Sequence, residues 1–161
     1  MIEKNDSIPS ATLTERGEAG IDKYDPELIF SEGTHVLFGV PGAFTPTCSE
    51  KHLPEFVEKA SDFRDAGVKS VVCVSVNDCF VMDAWGKDNN VGDKVRMLAD
   101  GDGSFHEKIG LTKDTGSFGG KRAKRYAMII HNGCVTDLFV EEDGTFGVSR
   151  AEHVLEAIQK K

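Results

Sequence analysis

Val40-Pro41-Gly42-Ala43-Phe44-Thr45-Pro46-Thr47-Cys48-Ser49-Glu50 closes an apolar run that begins at Val36, turns the chain, and then delivers a cysteine. Beyond it, Leu53, Phe56, Val57, Ala60 and Phe63 recur at helical spacing as far as Gly67, a helix stop. Cys48 therefore falls in the opening turn of an amphipathic helix. The first four N–H groups of a helix have no internal partner and its dipole is positive at that end, so a thiolate is favoured there over a thiol. Pro54 removes one backbone donor inside this pattern and predicts a kink just after the first turns.

Working outward, residues 34–40 read as a strand with the continuous apolar run Val36-Leu37-Phe38 at its centre, the pattern of a parallel-sheet strand buried on both faces. Residues 1–33 hold only short apolar pieces, 8–13 and 28–30, which read as short strands and turns at the sheet edge. On the other side, residues 69–76 are β-branched and predict a central strand. Asn77 or Asp78 can cap a second helix carrying Phe80, Val81 and Trp85, which runs out by residues 86–90. A third short strand, 95–99, ends at Asp100-Gly101-Asp102-Gly103, a turn in which the glycine and glutamate of a calcium loop are not at their required places. A short helix at 104–109 and a Gly-rich basic loop at 116–124 follow. Asn132-Gly133 between the β-rich runs 125–131 and 134–140 predicts a tight hairpin, because both central turn positions need positive φ. The last helix starts at Ser149, with Glu152 completing a capping box, Val154, Leu155 and Ile158 forming the buried stripe, and Lys160 and Lys161 complementing the dipole. Early parallel crossovers with a late hairpin and helix give an α/β, thioredoxin-like fold. Its central mixed sheet is flanked by helices, carries N-terminal strand additions, and spans residues 1–161 as one domain.

Composition narrows the function classes. With 39% hydrophobic and 29% charged residues in 161, the chain is an ordinary globular protein large enough for a proper core. A formal net charge of −8 repels phosphate backbones and argues against a nucleic-acid partner. No stretch approaches the length of a membrane helix, and the polar start, Met1 to Asp6, lacks the apolar core of a secretion signal. A soluble protein of the cytoplasm, a reducing compartment, is expected. Cys48, Cys73, Cys79 and Cys134 include no C-x-x-C pair and lie too far apart for a dense disulfide framework. The five histidines build no ligand motif with them, so neither a metal site nor a cofactor is expected.

A free cysteine is only about 3% thiolate at neutral pH, so complete ionisation gains at most roughly thirty-fold in rate, about 2 kcal/mol. A fast thiol enzyme needs further groups that hold the second reactant and stabilise charge on the leaving atom. Thr45 offers a hydroxyl that can donate to the thiolate and accept from a substrate O–H. Pro41 and Pro46 stiffen the loop and narrow the approach to sulfur. Lys51 and His52 lie three and four residues after Cys48 on the helix, whereas Glu50 points elsewhere. His52 reads as an ordinary polar helix residue rather than a base, since a thiolate already formed needs none. Arg125 opens a strand and so has a defined direction, unlike its solvated basic neighbours Lys121 and Lys124.

The pattern Pro41-x-x-x-Thr45-x-x-Cys48 resembles the active-site signature of peroxiredoxins. The flanking residues 40–49 with His52-Leu53-Pro54 resemble the type II, or peroxiredoxin-5, subfamily in particular. The likeness continues through Ser75-Val76-Asn77-Asp78, Phe80-Val81 and Trp85 to Lys124-Arg125-Tyr126, most of the chain. It implies a thiol peroxidase in which Cys48 attacks the O–O bond of hydrogen peroxide or an alkyl hydroperoxide and becomes a sulfenic acid. Thr45 would bond the peroxide, Pro41 shield the pocket, and Arg125 lower the thiolate pKa and hold the peroxide oxygens. A guanidinium, always charged and rich in donors, suits that task.

A sulfenic acid is restored by condensing with a second thiol. Animal members of the subfamily carry a resolving cysteine near the last helix, but residues 145–150 contain none. Cys73 matches the position used in plant type II relatives, and otherwise reads as a small core residue of a β-branched strand. Cys79 and Cys134 acquire no role. The resemblance implies an external reductant, glutathione with glutaredoxin or thioredoxin, and a homodimer. Two rivals stand beside this reading. A dithiol oxidoreductase would want Cys-x-x-Cys and a proline before the hairpin, and both are missing. A thiol redox sensor without turnover needs the same reactive cysteine and is separated from a peroxidase by catalysis alone.

Overall fold

The computed structural model describes residues 1–161. A hairpin of β1 (Leu13–Gly17) and β2 (Gly20–Tyr24) precedes α1 (Pro26–Ile29) and β3 (Thr34–Gly39). A π-helical turn, Cys48–His52, runs into α2 (Leu53–Glu58) and α3 (Ala60–Asp65). Then come β4 (Val68–Ser75), α4 (Cys79–Asp88), β5 (Arg96–Ala99) and α5 (Ser104–Ile109). A small separate hairpin, β6 (Thr112–Asp114) with β7 (Lys121–Ala123), leads to β8 (Tyr126–His131), β9 (Cys134–Val140) and α6 (Ala151–Gln159).

The main sheet has seven strands in the order β2-β1-β5-β4-β3-β8-β9. β3, β4 and β5 are parallel, and β8, β9 and the β1–β2 edge run antiparallel to their neighbours. This is the mixed, helix-flanked sheet that the element order predicts, with the N-terminal hairpin extending one edge. β3 sits between β4 and β8, so its residues are buried on both faces. Val36 and Phe38 face a core filled by Phe56, Met82, Trp85 and Val154 from α2, α4 and α6. Leu37 faces the opposite core with Phe105 and Ile109 of α5. Phe38 stacks on Phe56 at 4.0 Å between ring centroids, which fastens the nucleophile-bearing helix to the sheet. No helix is long and apolar enough to cross a membrane.

Several local expectations are corrected by tertiary partners. Pro54 marks a change of helix type rather than a point inside one continuous α-helix. It opens α2 directly behind the π turn, where Leu53 N–H bonds the Cys48 carbonyl, and the break between α2 and α3 lies at Lys59, with φ −95° and ψ 9°. Residues 26–29 are helical because Asp25 caps them and Pro26 suits a first helical position. The basic loop contains β7. Phe80 is exposed, and Cys79, Met82, Trp85 and Gly86 form the buried stripe of α4. Ser149 does not cap α6: its hydroxyl donates to Glu141, and Glu55 of α2 receives the Glu152 N–H at 2.9 Å instead.

Candidate active site

β3 ends at Gly39 and the loop 40–47 turns its chain into the π turn, placing Cys48 at the helix start as the sequence predicts. Ser49 N–H bonds the Thr45 carbonyl at 2.9 Å, which defines that start. Phe44 holds φ 63°, a left-handed conformation uncommon outside glycine, and marks this loop as backbone held by its surroundings. Ser75 and Asn77 at the end of β4 supply that hold. The Ser75 hydroxyl lies 3.1 Å from the Val40 carbonyl, and Asn77 Oδ1 accepts the Ala43 N–H at 3.0 Å. Ser49 Oγ accepts the indole N–H of Trp85 at 2.8 Å, tying the residue beside Cys48 to α4.

Cys48 is fully buried. Arg125, just ahead of β8, reaches across the sheet so that its Nη2 donates to Cys48 Sγ at 3.0 Å. Its Nη1 donates to His52 Nδ1 at 2.9 Å. A guanidinium can only donate and a carbonyl can only accept, which settles the state of His52. Nδ1 is the acceptor, and Nε2 carries the hydrogen that it donates to the Ser149 carbonyl at 3.0 Å. Burial first, and then the Arg125 charge, push the His52 pKa down to about 3, against weaker pulls from Ser149 and Glu141. His52 is therefore a neutral, buried ring, boxed by Phe38, Phe56 and Phe146, and not the solvated helix residue its type suggests. Its place four residues after Cys48, and within the family-like run His52-Leu53-Pro54, was the available signal.

Behind His52 stands Glu141. Burial raises its pKa, but hydrogen bonds from the Ser149 N–H and O–H, Gly147 N–H and Thr145 hydroxyl outweigh that and hold the carboxyl below its ordinary value. The carboxylate thus folds the 141–149 strap over the site and presents the Ser149 carbonyl to His52. Glu141, Ser149 and His52 escaped the sequence reading as site members, because nothing local marks a glutamate that ends a strand. A cavity of about 180 Å³ opens at the mouth, lined by Pro41, Thr47, Arg125, Glu141 and Phe146 among others.

The remaining residues divide. Thr45 sits three residues before the sulfur, and its hydroxyl donates to the Gly42 carbonyl at 2.7 Å rather than to Cys48, leaving its lone pairs for an incoming donor. Pro41 lines the mouth. Cys73 is fully buried in β4, paired with Phe38 and Met97 on either side. Burial, and then the charge of Cys48, raise its pKa well above the ordinary thiol value, against a smaller opposing pull from Arg125. All four cysteines are free.

Comparison with known proteins gives the family of the chain. The family model described as Redoxin matches residues 3–155. Peroxiredoxin-2E, chloroplastic, of Arabidopsis thaliana is 40% identical over 162 residues, covering 98% of this chain and 69% of that protein. Peroxiredoxin-2B of the same plant is 47% identical over 124 residues, 76% of each chain. Reduced Prx3 from Vibrio vulnificus in complex with hydrogen peroxide superposes with a TM-score of 0.96 at 47% identity, covering 98% of this chain and 99% of that one. Peroxiredoxin 5 from Alvinella pompejana gives 0.87 at 31% identity over the full length of both.

Proposed function

The chain belongs to the redoxin family as a type II, peroxiredoxin-5-like peroxiredoxin, a thiol-dependent peroxidase, and on that premise we propose which of its residues carry the reaction. Cys48 is the nucleophile. A lone pair on its sulfur attacks the nearer peroxide oxygen, the S–O bond forms as the O–O bond breaks, and the proton of the attacked oxygen passes to the departing one, which leaves as water or an alcohol, while the sulfenate takes a proton from solvent. Sulfur is oxidised by two electrons to the sulfenic acid and the peroxide is reduced by two. The observation that carries this reading is the Arg125 Nη2 donor 3.0 Å from Sγ, which brings a fixed positive charge to where negative charge moves during the displacement. Thr45 accepts the peroxide O–H, and Pro41 restricts the mouth to small hydroperoxides, hydrogen peroxide and alkyl hydroperoxides. The Vibrio vulnificus relative that holds hydrogen peroxide supports that substrate class.

For recycling we favour an external thiol, glutathione with glutaredoxin or thioredoxin, over Cys73. A fully buried thiol in the middle of a central strand, with its pKa pushed up, supplies little thiolate to attack a sulfenic acid. Glutathione condenses with Cys48–SOH to a mixed disulfide and water, and a second thiol releases the reduced enzyme. Mass spectrometry after one equivalent of peroxide and glutathione then finds a Cys48 adduct, and a Cys48–Cys73 disulfide would overturn this order. We further propose a homodimer, with the exposed Phe44, Phe80 and Phe118 as apolar surface suited to a second copy, and the cytoplasm as a compartment that keeps four thiols free. The assignment of Cys48 is tested by turnover. Cys48→Ser abolishes thiol-dependent peroxide consumption, and retained activity would exclude Cys48 as the nucleophile.

A further inference from the structure

We propose that Asn77 is a positioning residue for the peroxide reaction, acting through one peptide unit to aim the hydroxyl of Thr45. The inference rests on the reading of Thr45 as the group that meets the peroxide. The unit between Gly42 and Ala43 is held on both edges. Its N–H, from Ala43, donates to Asn77 Oδ1 at 3.0 Å, and its carbonyl, from Gly42, accepts the Thr45 hydroxyl at 2.7 Å. A trans peptide is planar, so fixing the direction of the N–H fixes the direction of the C=O. That carbonyl takes the only proton of the Thr45 hydroxyl, so the two lone pairs are what the hydroxyl presents to a substrate. Asn77 thereby decides that Thr45 accepts from the peroxide O–H and where the accepting lone pairs point.

Three further features fit this role. The Asn77 amide is turned with Oδ1 toward Ala43, because an amide NH₂ cannot face a backbone N–H, and the Ser75 hydroxyl lies 2.8 Å from the same oxygen. Ser75 is fully buried and its hydroxyl also lies 3.1 Å from the Val40 carbonyl, so the first half of the loop is braced at two points from one strand terminus. Capping of α4 is done by Asp78, whose Oδ1 accepts the Val81 N–H at 2.9 Å, which leaves Asn77 to the loop. The packing leaves little slack: a Cβ at Gly42 would lie 3.2 Å from Thr45 Cγ2.

The test compares two reactions of the same sulfur, with hydrogen peroxide, which needs Thr45, and with iodoacetamide, which does not. Asn77→Leu lowers the second-order peroxide rate by about ten-fold, while the plateau rate of alkylation stays within about two-fold of the parent protein and its pH midpoint within about 0.3 unit. Asn77→Asp, which keeps the accepting oxygen, retains the peroxide rate within about three-fold when measured above its own alkylation midpoint. Combining Asn77→Leu with Thr45→Val gives a protein no slower than Thr45→Val alone, because both changes remove one interaction. Equal losses in both reactions, or additive losses in the double variant, overturn the positioning role. An unchanged peroxide rate in Thr45→Val overturns the role of Thr45 itself, whereas a slow Thr45→Val beside a fully active Asn77→Leu overturns that of Asn77 alone.

Discussion

His52 and His106 are both fully buried, one against each core of the sheet, and both rings use both nitrogens. His52 takes a hydrogen bond at Nδ1 from a cation, Arg125, and gives its Nε2 hydrogen to a carbonyl. His106 has the reverse arrangement. Its Nδ1 donates to Asp100 at 2.7 Å, and its Nε2 lies 2.9 Å from the Tyr126 hydroxyl. Asp100 also receives the N–H groups of Phe105 and His106, so this second cluster ties β5, α5 and the start of β8 into one rigid joint. The same side chain is thus a pointer in one place and a cross-link in the other, and the difference lies in the partner at Nδ1. Only a neutral ring with a free lone pair can direct a guanidinium that must serve sulfur with its other arm.

The contrast breaks most visibly at Arg125. Replacing it with alanine lowers the second-order rate with peroxide by about 10²–10³-fold, beyond the roughly thirty-fold that thiolate loss alone explains. A smaller fall, read by competition kinetics, would mean that Arg125 acts only on ionisation. His52 supplies a pH signature. Its folded pKa of about 3 lies below the unfolded value near 6.5, so the unfolded chain takes up this proton first. The stability it contributes is complete above about pH 6.5 and is lost as pH falls towards 3, at up to about 1.4 kcal/mol per pH unit. Urea unfolding over that window shows a shallower slope in His52→Asn, and an equal slope would remove His52 from the linkage. The smallest effect is expected on the other face. Tyr126→Phe leaves His106 Nε2 without its partner and costs about 1–3 kcal/mol in chemical denaturation, with peroxidase activity within about two-fold. A matching loss of activity would join the two clusters into one device.

What could be read in the sequence follows the same division. Cys48 was legible because a cysteine behind a strand–loop–helix junction carries its chemistry in local context, whereas Thr45, Pro41 and Arg125 were picked out by their match to the family pattern. The hairpin was legible because Asn132 and Gly133 must hold positive φ, and they do, at 48° and 81°. His52 was not, since its two partners lie 73 and 97 residues away. Ser149 and Glu152 satisfy the capping-box pattern, but Glu141 takes the serine, a competition that no local pattern can register. Asp100 reads as a turn residue and is one, yet its carboxylate is wholly buried because α5 brings three donors to it.

The bond from the Trp85 indole to Ser49 gives the molecule an optical property. The chain has a single tryptophan, and its ring nitrogen is anchored to the residue next to the reacting sulfur. Any rearrangement of the π turn that brings oxidised Cys48 out to a reductant must loosen or break that anchor. The single indole is thus the place in the chain where a change at the π turn is expected to alter emission without a label, and stopped-flow fluorescence on adding peroxide is the measurement that checks it.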